Sequence, residues 1–204
     1  ETLLVLGMSE KQIAEEIDFI GGSLSASGGM DYVSASLTVL KKDIHTGFNL
    51  LSDILLNPTF PQAELERIRQ EILGAILSQK TDPGVVASKT FQEMVFKGHP
   101  YSRPVEGKEE TLPHIQRDEI QKFYDTYYRP NRTILVIVGD VTRDEAVGIV
   151  KQYLGKWEKK DIPSVHLPPL SNPAGQEVKL IQRDISQANI FLGHPGVARE
   201  NPAE

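Results

Sequence analysis

Apolar residues recur at steps of three and four along several stretches of the chain, which is the period of a helix packed on one side. The longest such stretch covers residues 60–80, and Pro61 stands where a first-turn proline is tolerated. One face of this stretch carries Leu65, Ile68, Ile72, Ala75 and Gln79. The pattern predicts one long helix, around which the rest of the chain is organised.

The same period predicts shorter helices at residues 9–20, 43–57, 82–96, 116–128 and 142–154. The first of them begins with a capping-box pattern, in which Ser9 is followed by Gln12 at the third position. It ends at Gly21 and Gly22, because glycine readily adopts the backbone conformation that closes a helix.

Alternating apolar and polar residues at positions 23–27 and 32–40 predict two half-buried strands. Gly28 and Gly29 lie between them, so the two strands are expected to form a hairpin. The continuous apolar run at residues 133–138 is typical of a strand covered on both faces. The predicted class is therefore α+β, with a mixed, largely antiparallel sheet flanked by helices.

Four prolines within residues 159–176 predict an interdomain linker. We therefore expect residues 1–158 to form most of one α+β unit that is truncated at its N-terminus. Residues 177–204 would supply the first strands of a second unit, with strand-like segments at 178–180 and 188–192. Because both chain ends lie in or just after such segments, we interpret the sequence as part of a longer polypeptide.

Composition narrows the possible partners. The 204 residues carry 22 Lys and Arg against 28 Asp and Glu, a net charge of −6 without a basic block, which disfavours nucleic-acid binding. No run of 18 apolar residues predicts a membrane span. The absence of cysteine excludes disulfides and thiolate zinc sites. It does not fix the cellular compartment, which stays unknown. A bacterial periplasm or cytoplasm is favoured over a mitochondrion.

Few residues of the chain have the spacing of a catalytic or metal site. No two of the five histidines are three or four residues apart, so loop or surface positions are expected for them. The chain has no Gly-x-Ser-x-Gly nucleophile motif, and the stretch GGSLSASGG lacks the Lys-Ser/Thr ending of a phosphate loop. Glu71 borders the apolar face of the long helix, and it is the one carboxylate that stays open as an alternative metal ligand.

Five segments resemble, in the same order along nearly the whole chain, the insulinase/pitrilysin superfamily of zinc peptidases, which includes mitochondrial processing peptidase. These segments are QIAEEIDFIGGSLSAS, LLSDILLNPTFPQAELERIRQEI, GHPYSRPVEG, DEIQKFYDTYYRPNRTILVIVGDV and QANIFLGHPG. The resemblance implies paired α+β units that face each other across a peptide-holding chamber. The catalytic unit carries H-x-x-E-H on one helix and a downstream glutamate on a second, which hold Zn²⁺ with one open position.

The resemblance places Glu1 on the general-base glutamate and Thr2 on the second histidine of that motif. It places Ala75 on the third ligand and Ile68 on a supporting glutamate. Neither Thr2 nor Ala75 can hold zinc, so the resemblance implies the non-catalytic half, without catalytic or metal-binding residues in this segment. Zinc is then expected in an H-x-x-E-H partner, either a separate subunit or a fused domain.

The resemblance also implies that peptide substrate pairs with an edge strand, which corresponds here to Ser25, Ala26 and Ser27. Two alternatives stay open. In the first, the chain is an active zinc metalloendopeptidase in which Glu71, one helical turn before Ala75, is the third ligand. In the second, it is a structural subunit of a larger assembly.

Overall fold

The computed structural model describes residues 10–170 and 175–197, which contain six α-helices and one pair of strands. The strands are β1 (Ser23–Gly28) and β2 (Val33–Thr38). The helices are α1 (Glu10–Phe19), α2 (Ile44–Leu56), α3 (Gln62–Gln79), α4 (Pro83–Val95), α5 (Arg117–Tyr127) and α6 (Arg143–Leu154). The fold class is α+β, as the sequence predicts. None of the helices in this part of the chain is long and apolar enough to cross a bilayer.

Strands β1 and β2 form the predicted antiparallel hairpin. Ser25 lies opposite Ser36 and Ala26 opposite Ala35, so the alternation along each strand places like residues on the same face. The turn is closed by a hydrogen bond that Gly29 N donates to the Tyr32 carbonyl over 2.9 Å. The hairpin therefore has one face with Leu24 and Ala26 and an opposite face of hydroxyl side chains.

The core beside this hairpin comes from α1, α2, α5 and the segment before α3. Its buried members are Ile13, Ile17, Leu50, Ile54, Phe60 and Tyr124, and the inner face of the hairpin packs against them. Gly22 and Gly47 permit this close packing, because a Cβ at either position would lie 2.9 Å from Val39 Cγ1. Gly21, with φ of 63°, ends α1 as predicted.

The chain divides into two compact units, residues 1–69 with 114–163 and residues 70–113 with 164–204. The first unit contains the hairpin and its core. In the second, Phe91 of α4 packs against Phe191 with ring centroids 6.2 Å apart, and Arg183 Nη1 donates to the Lys80 carbonyl over 2.9 Å. The linker at 159–176 and the unit beginning at 177 stay predictions.

Three segments predicted as strands are not strands in the structure. Residues 133–138, 178–180 and 188–192 have no strand pairing among the described residues. The apolar composition of residues 133–138 predicted cover on both faces, yet Ile134 is 91% exposed and Val138 is 91% exposed. That prediction is wrong for this structure, because a strand forms only where a second strand lies beside it.

Candidate functional site

The helix that the sequence singles out, α3, buries a stripe slightly different from the predicted one. Leu65, Ile68 and Ile76 are buried, and Ile72 is half-buried. Ala75, predicted on the packed face, is exposed. An α-helix turns about 100° per residue, so each four-residue step from Ile68 through Ile72 to Ile76 turns the buried stripe by about 40° and leaves Ala75 at its edge.

The position of Ala75 does not fit a zinc ion. Ala75 offers a methyl group, and Ile68, two turns earlier on the helix, offers an aliphatic chain, so neither supplies a donor atom. Glu71 is exposed on the surface of α3. Among residues 10–170 and 175–197, no three His, Cys, Asp or Glu side chains are grouped so that they could hold a metal. Glu1 and Thr2 lie outside the described residues.

Histidines in the described segments make local structural contacts. His99 is buried, and its Nδ1 accepts a hydrogen bond from Tyr101 N over 3.2 Å, which caps a short 3-10 turn. His45 Nδ1 lies 3.1 Å from the Tyr153 hydroxyl, and His194 Nδ1 lies 2.8 Å from the Pro195 carbonyl oxygen. These contacts are consistent with the predicted loop and surface positions.

The three residues predicted to contact peptide lie together on β1. Ser25 and Ser27 are exposed on the outer face, and Ala26 is half-buried and packs toward the core. Ser27 Oγ lies 2.9 Å from Ser34 Oγ, so hydroxyls of the two strands meet across the hairpin. Within the described residues β1 pairs with β2 alone, and half of its backbone groups therefore point away from the sheet.

An apolar pocket of about 420 Å³ adjoins the end of β1. Its walls come from the hairpin, from Phe60 and from α5 with its flanking residues. The lining residues are Ala26, Ser27, Gly28, Val33, Phe60, Ile115, Glu119, Ile120, Phe123, Tyr124 and Tyr128. Two of the three predicted peptide-contact residues, Ala26 and Ser27, thus line this pocket, and Ser25 does not.

Phe60 is held in an unusual conformation at one wall of the pocket. Its φ of 44° is rare for a residue other than glycine, and its side chain is only 3% exposed. Arg117 fixes this backbone: its Nε donates to the Phe60 carbonyl and its Nη2 to the Thr59 carbonyl, each over 2.8 Å. The Phe60 ring then meets the Tyr124 ring edge-on at 5.8 Å.

The two tyrosine phenols that line the pocket are held in their uncharged form. Burial raises the pKa of the Tyr124 phenol, against a smaller opposing effect of the Arg129 charge, and burial also raises the pKa of Tyr128. Glu119, the one carboxylate of the lining, accepts a hydrogen bond from Gln116 N over 2.8 Å at the start of α5. The pocket is therefore suited to an uncharged, apolar group.

Sequence reasoning missed this pocket although a signal for it was present. Aromatic rings recur at steps of three and four residues along α5 and the residue after it, at Phe123, Tyr124, Tyr127 and Tyr128. Phe123 and Tyr127 have ring centroids 4.8 Å apart, and those of Tyr124 and Tyr128 are 5.1 Å apart. Phe60 also lines the pocket, but Arg117, which holds its backbone, lies 57 residues further along the chain. No local sequence pattern therefore predicts this wall of the pocket.

Comparison with known proteins gives the family. Residues 5–109 match the family model described as insulinase (peptidase family M16), and residues 114–204 match that of the peptidase M16 inactive domain. The chain belongs to the insulinase family, peptidase family M16. The resemblance inferred from the five sequence segments is thereby confirmed, and the neighbouring matches leave only residues 110–113 between them.

Relatives of this M16 chain include bacterial proteins named as uncharacterized zinc proteases. The one from Mycobacterium leprae is 28% identical over 89% of the chain, and the one from Streptomyces coelicolor is 28% identical over 98%. That of Bacillus subtilis, YmxG, is 25% identical over 93%. The chain spans 41–45% of the length of these three relatives.

Solved structures share the fold of the M16 chain. A Pseudomonas fluorescens structure named as a peptidase M16 inactive domain has a TM-score of 0.76 at 24% identity, and covers 82% of this chain and 41% of its own. A protease from Helicobacter pylori has a TM-score of 0.73 at 18% identity, with 81% and 40% covered. These similarities establish the α+β fold of the family.

Proposed function

We propose that this chain is the non-catalytic part of an M16 peptidase and encloses peptide substrate for an H-x-x-E-H partner. The observation that carries the proposal is Ala75, an exposed alanine where the family resemblance places the third zinc ligand. The match of residues 114–204 to the inactive-domain model supports it. Zinc, and the activation of water, then belong to the partner, which is a fused domain or a separate subunit.

The peptide-binding part of the proposal rests on β1 and the pocket beside it. An extended peptide adds a strand along the edge of β1, with backbone hydrogen bonds at Ser25, Ala26 and Ser27. In such a complex alternate side chains of the peptide face the same side, so one of them enters the pocket. Because the lining is aromatic and aliphatic, with Phe60 and Phe123 among its walls, that side chain is apolar and bulky.

Zinc binding and activity test the non-catalytic assignment. The complete polypeptide that contains this chain is purified without its proposed partner, titrated with zinc by calorimetry, and assayed for cleavage of denatured casein. Glu71→Gln removes the carboxylate of the rival interpretation, and Glu93→Gln on α4 is the matched control. We expect no cleavage by the isolated polypeptide and the same zinc titration in both variants.

Stoichiometric zinc binding together with cleavage, both lost in Glu71→Gln and kept in Glu93→Gln, would show an active peptidase and reject the proposal. Co-purification of the native protein with an H-x-x-E-H chain supports the proposed partnership. Purification as part of a larger assembly without such a chain or domain supports the structural-subunit alternative instead.

A variant that fills the pocket tests the peptide site. A Cβ at Gly28 would meet no atom within 4 Å, so the branched side chain of Gly28→Leu begins in open space at the pocket. Gly148→Leu on α6, which is equally open, is the control. Affinity for an extended model peptide with a central Phe is measured by fluorescence anisotropy in the complex of the polypeptide with its catalytic partner.

We expect Gly28→Leu to weaken this peptide at least about tenfold, since a bulky side chain loses most of its burial when its pocket is filled. A matched peptide with Ala in place of the Phe should lose much less. Equal affinities of the two peptides for the unmodified complex would reject the pocket as a subsite. Equal effects of Gly28→Leu and Gly148→Leu on the Phe peptide would reject it as well.

A further inference from the structure

Three of the four polar side chains that line the apolar pocket already have hydrogen-bond partners. Ser27 Oγ lies 2.9 Å from Ser34 Oγ, and the Tyr124 hydroxyl donates to the Leu55 carbonyl. Glu119 accepts a hydrogen bond from the backbone N–H at the N-cap of α5. These three side chains therefore hold the walls of the pocket together.

Tyr128 is the fourth polar side chain of the lining. It directly follows α5, and its ring centroid lies 5.1 Å from that of Tyr124 and 6.4 Å from that of Phe123. Its backbone carbonyl accepts a hydrogen bond from Trp157 Nε1 over 3.3 Å. Its hydroxyl, however, has no hydrogen-bond partner in the described part of the chain. The ring is thus fixed in the pocket wall, while the hydroxyl at its end is unpaired there.

An unpaired hydroxyl on a half-buried side chain favours a ligand that offers it an acceptor. Burial raises the pKa of Tyr128, so the phenol keeps its proton at neutral pH and can donate a hydrogen bond. A ligand made only of carbon would displace the water to which this hydroxyl otherwise donates, and would leave the donor unsatisfied. A ligand with a well-placed oxygen avoids that cost.

We propose that Tyr128 sets the specificity of the pocket: its hydroxyl donates to the side-chain oxygen of a tyrosine in the bound peptide, which is therefore preferred over phenylalanine. This inference rests on the proposed function, because it takes the pocket as the subsite for one side chain of a peptide paired with β1. The ring of that tyrosine suits the apolar walls, which include Phe60 and Phe123, as well as a phenylalanine ring does. The oxygen at the end of the ring is the additional group that Tyr128 recognises.

Other peptide side chains match this lining less well. Leucine, valine and phenylalanine offer no acceptor to a hydroxyl. Aspartate and glutamate offer acceptors, but they bring a negative charge to a pocket whose one carboxylate is Glu119. Lysine and arginine carry donors only, and they would place a positive charge against aromatic and aliphatic walls. A phenol combines an apolar ring with an acceptor and carries no charge.

Three matched peptides test the specificity. The complete polypeptide is assembled with its catalytic partner and titrated at pH 7 with extended model peptides that carry Tyr, Phe or Ala at the central position. Fluorescence anisotropy gives the affinities. We expect the Tyr peptide to bind about fivefold more tightly than the Phe peptide, which is the ratio that one hydrogen bond of ordinary strength supplies. Both should bind more tightly than the Ala peptide, because the Ala side chain leaves the pocket empty.

Two variants assign the preference to one hydroxyl. Tyr128→Phe removes only the hydroxyl, and Tyr127→Phe is the matched control because Tyr127 does not line the pocket. The ratio of Tyr-peptide to Phe-peptide affinity should fall to about one in Tyr128→Phe and stay about fivefold in Tyr127→Phe. The Tyr128 hydroxyl has no partner in the described chain, so its removal should leave the urea unfolding midpoint unchanged. A merely structural role of Tyr128 would not change the ratio between two peptides.

The possible failures of this inference and of the proposed function differ. Equal affinities of the Tyr and Phe peptides, both above that of the Ala peptide, would show a purely apolar subsite; they would overturn the role of Tyr128 and leave the proposed function standing. A fivefold preference for Tyr that survives in Tyr128→Phe would show that another group recognises the phenol, and would overturn the assignment as well. Equal affinities of all three peptides would reject the pocket as a subsite, and with it the peptide-binding part of the proposed function.

Discussion

The Tyr124 hydroxyl links α5 to the end of α2, and its removal is the sharpest test of how the pocket wall is held. The hydroxyl donates a hydrogen bond to the Leu55 carbonyl. Leu55 lies in the last turn of α2, where carbonyls have no partner inside the helix, so this bond satisfies an acceptor that the helix leaves open. Tyr124 is 9% exposed and belongs to the core beside the hairpin.

Tyr124→Phe keeps the ring, and therefore the contact with Phe60, and removes only the hydroxyl. A typical hydrogen bond contributes about 0.5–1.5 kcal/mol, and a buried acceptor left without a donor costs about 1–3 kcal/mol. Because Leu55 is half-buried and water can reach part of this region, we expect a loss of about 1–2 kcal/mol in the free energy of unfolding. Tyr127→Phe on the exposed side of α5 should change it by less than about 0.5 kcal/mol.

Urea unfolding at pH 7 measures this difference, with the fluorescence of Trp157 as the signal. Trp157 is the single tryptophan of the chain, and its Nε1 donates to the Tyr128 carbonyl over 3.3 Å, so it reports on the end of α5. Equal free energies of unfolding for Tyr124→Phe and Tyr127→Phe would refute the reasoning. So would a loss in Tyr124→Phe that is accompanied by a changed denaturant slope, since the slope reports on the surface exposed rather than on one bond.

The pH dependence of the same variant provides an independent check. Because burial raises the pKa of Tyr124 above its usual value of 10.0, its phenol stabilises the fold fully below pH 10. This contribution is lost as the pH rises through the folded-state pKa. The difference in stability between the unmodified chain and Tyr124→Phe should therefore be constant from pH 7 to 9 and shrink above pH 10. A difference that grew above pH 10 would contradict a raised pKa.

Three further predictions follow from contacts in the same unit. Arg117→Lys keeps the charge, but a lysine cannot donate to two carbonyls in the fixed geometry that holds Phe60. Urea unfolding should therefore show a loss of about 1 kcal/mol in the free energy of unfolding. An unchanged unfolding midpoint would contradict this role of Arg117. Hydrogen bonds from the backbone and side chain of Thr142 lower the pKa of Glu145, so the contribution of this carboxylate to stability is present above its unfolded-state pKa and lost as the pH falls through its folded-state pKa. Glu145→Gln should therefore flatten the decline of the urea midpoint on acidification to pH 3. An identical decline in the variant and the unmodified chain would reject the capping role. Gly22→Ala introduces a methyl group 2.9 Å from neighbouring side chains and should lower the free energy of unfolding by about 1–3 kcal/mol. Gly148→Ala on the exposed side of α6 is the control and should not lower it. Equal melting temperatures of the two variants would contradict the close packing at Gly22.

Helices and the hairpin could be predicted from the sequence because their signals are local. The glycines at 21–22 and 28–29 mark the end of α1 and the hairpin turn, and the alternation from Ser23 onward gives the correct face to each strand residue. The apolar period also predicts α3, but it does not predict the edge of the buried stripe on that helix. Ala75 is small enough to fit either side, so composition alone could not decide its exposure.

Features that depend on distant parts of the chain could not be predicted in this way. The conformation of Phe60 depends on Arg117, which is remote in sequence and gives no pattern beside it. Residues 133–138 have the composition of a covered strand, but composition does not say which segment covers them. The same limit applies to the peptide site, where the family resemblance implies Ser25, Ala26 and Ser27 as contacts but does not indicate the pocket that adjoins two of them.

The hydroxyl face of the hairpin has a consequence for experiments in different buffers. Strands β1 and β2 contain no charged residue, and their outer face carries only Ser and Thr at positions 23, 25, 27, 34, 36 and 38. Binding along this face would rest on uncharged hydrogen bonds, which mobile ions do not screen. Its strength should therefore vary little between low and high ionic strength, whereas contacts that depend on pairs such as Lys41 and Asp140 should weaken as salt is added.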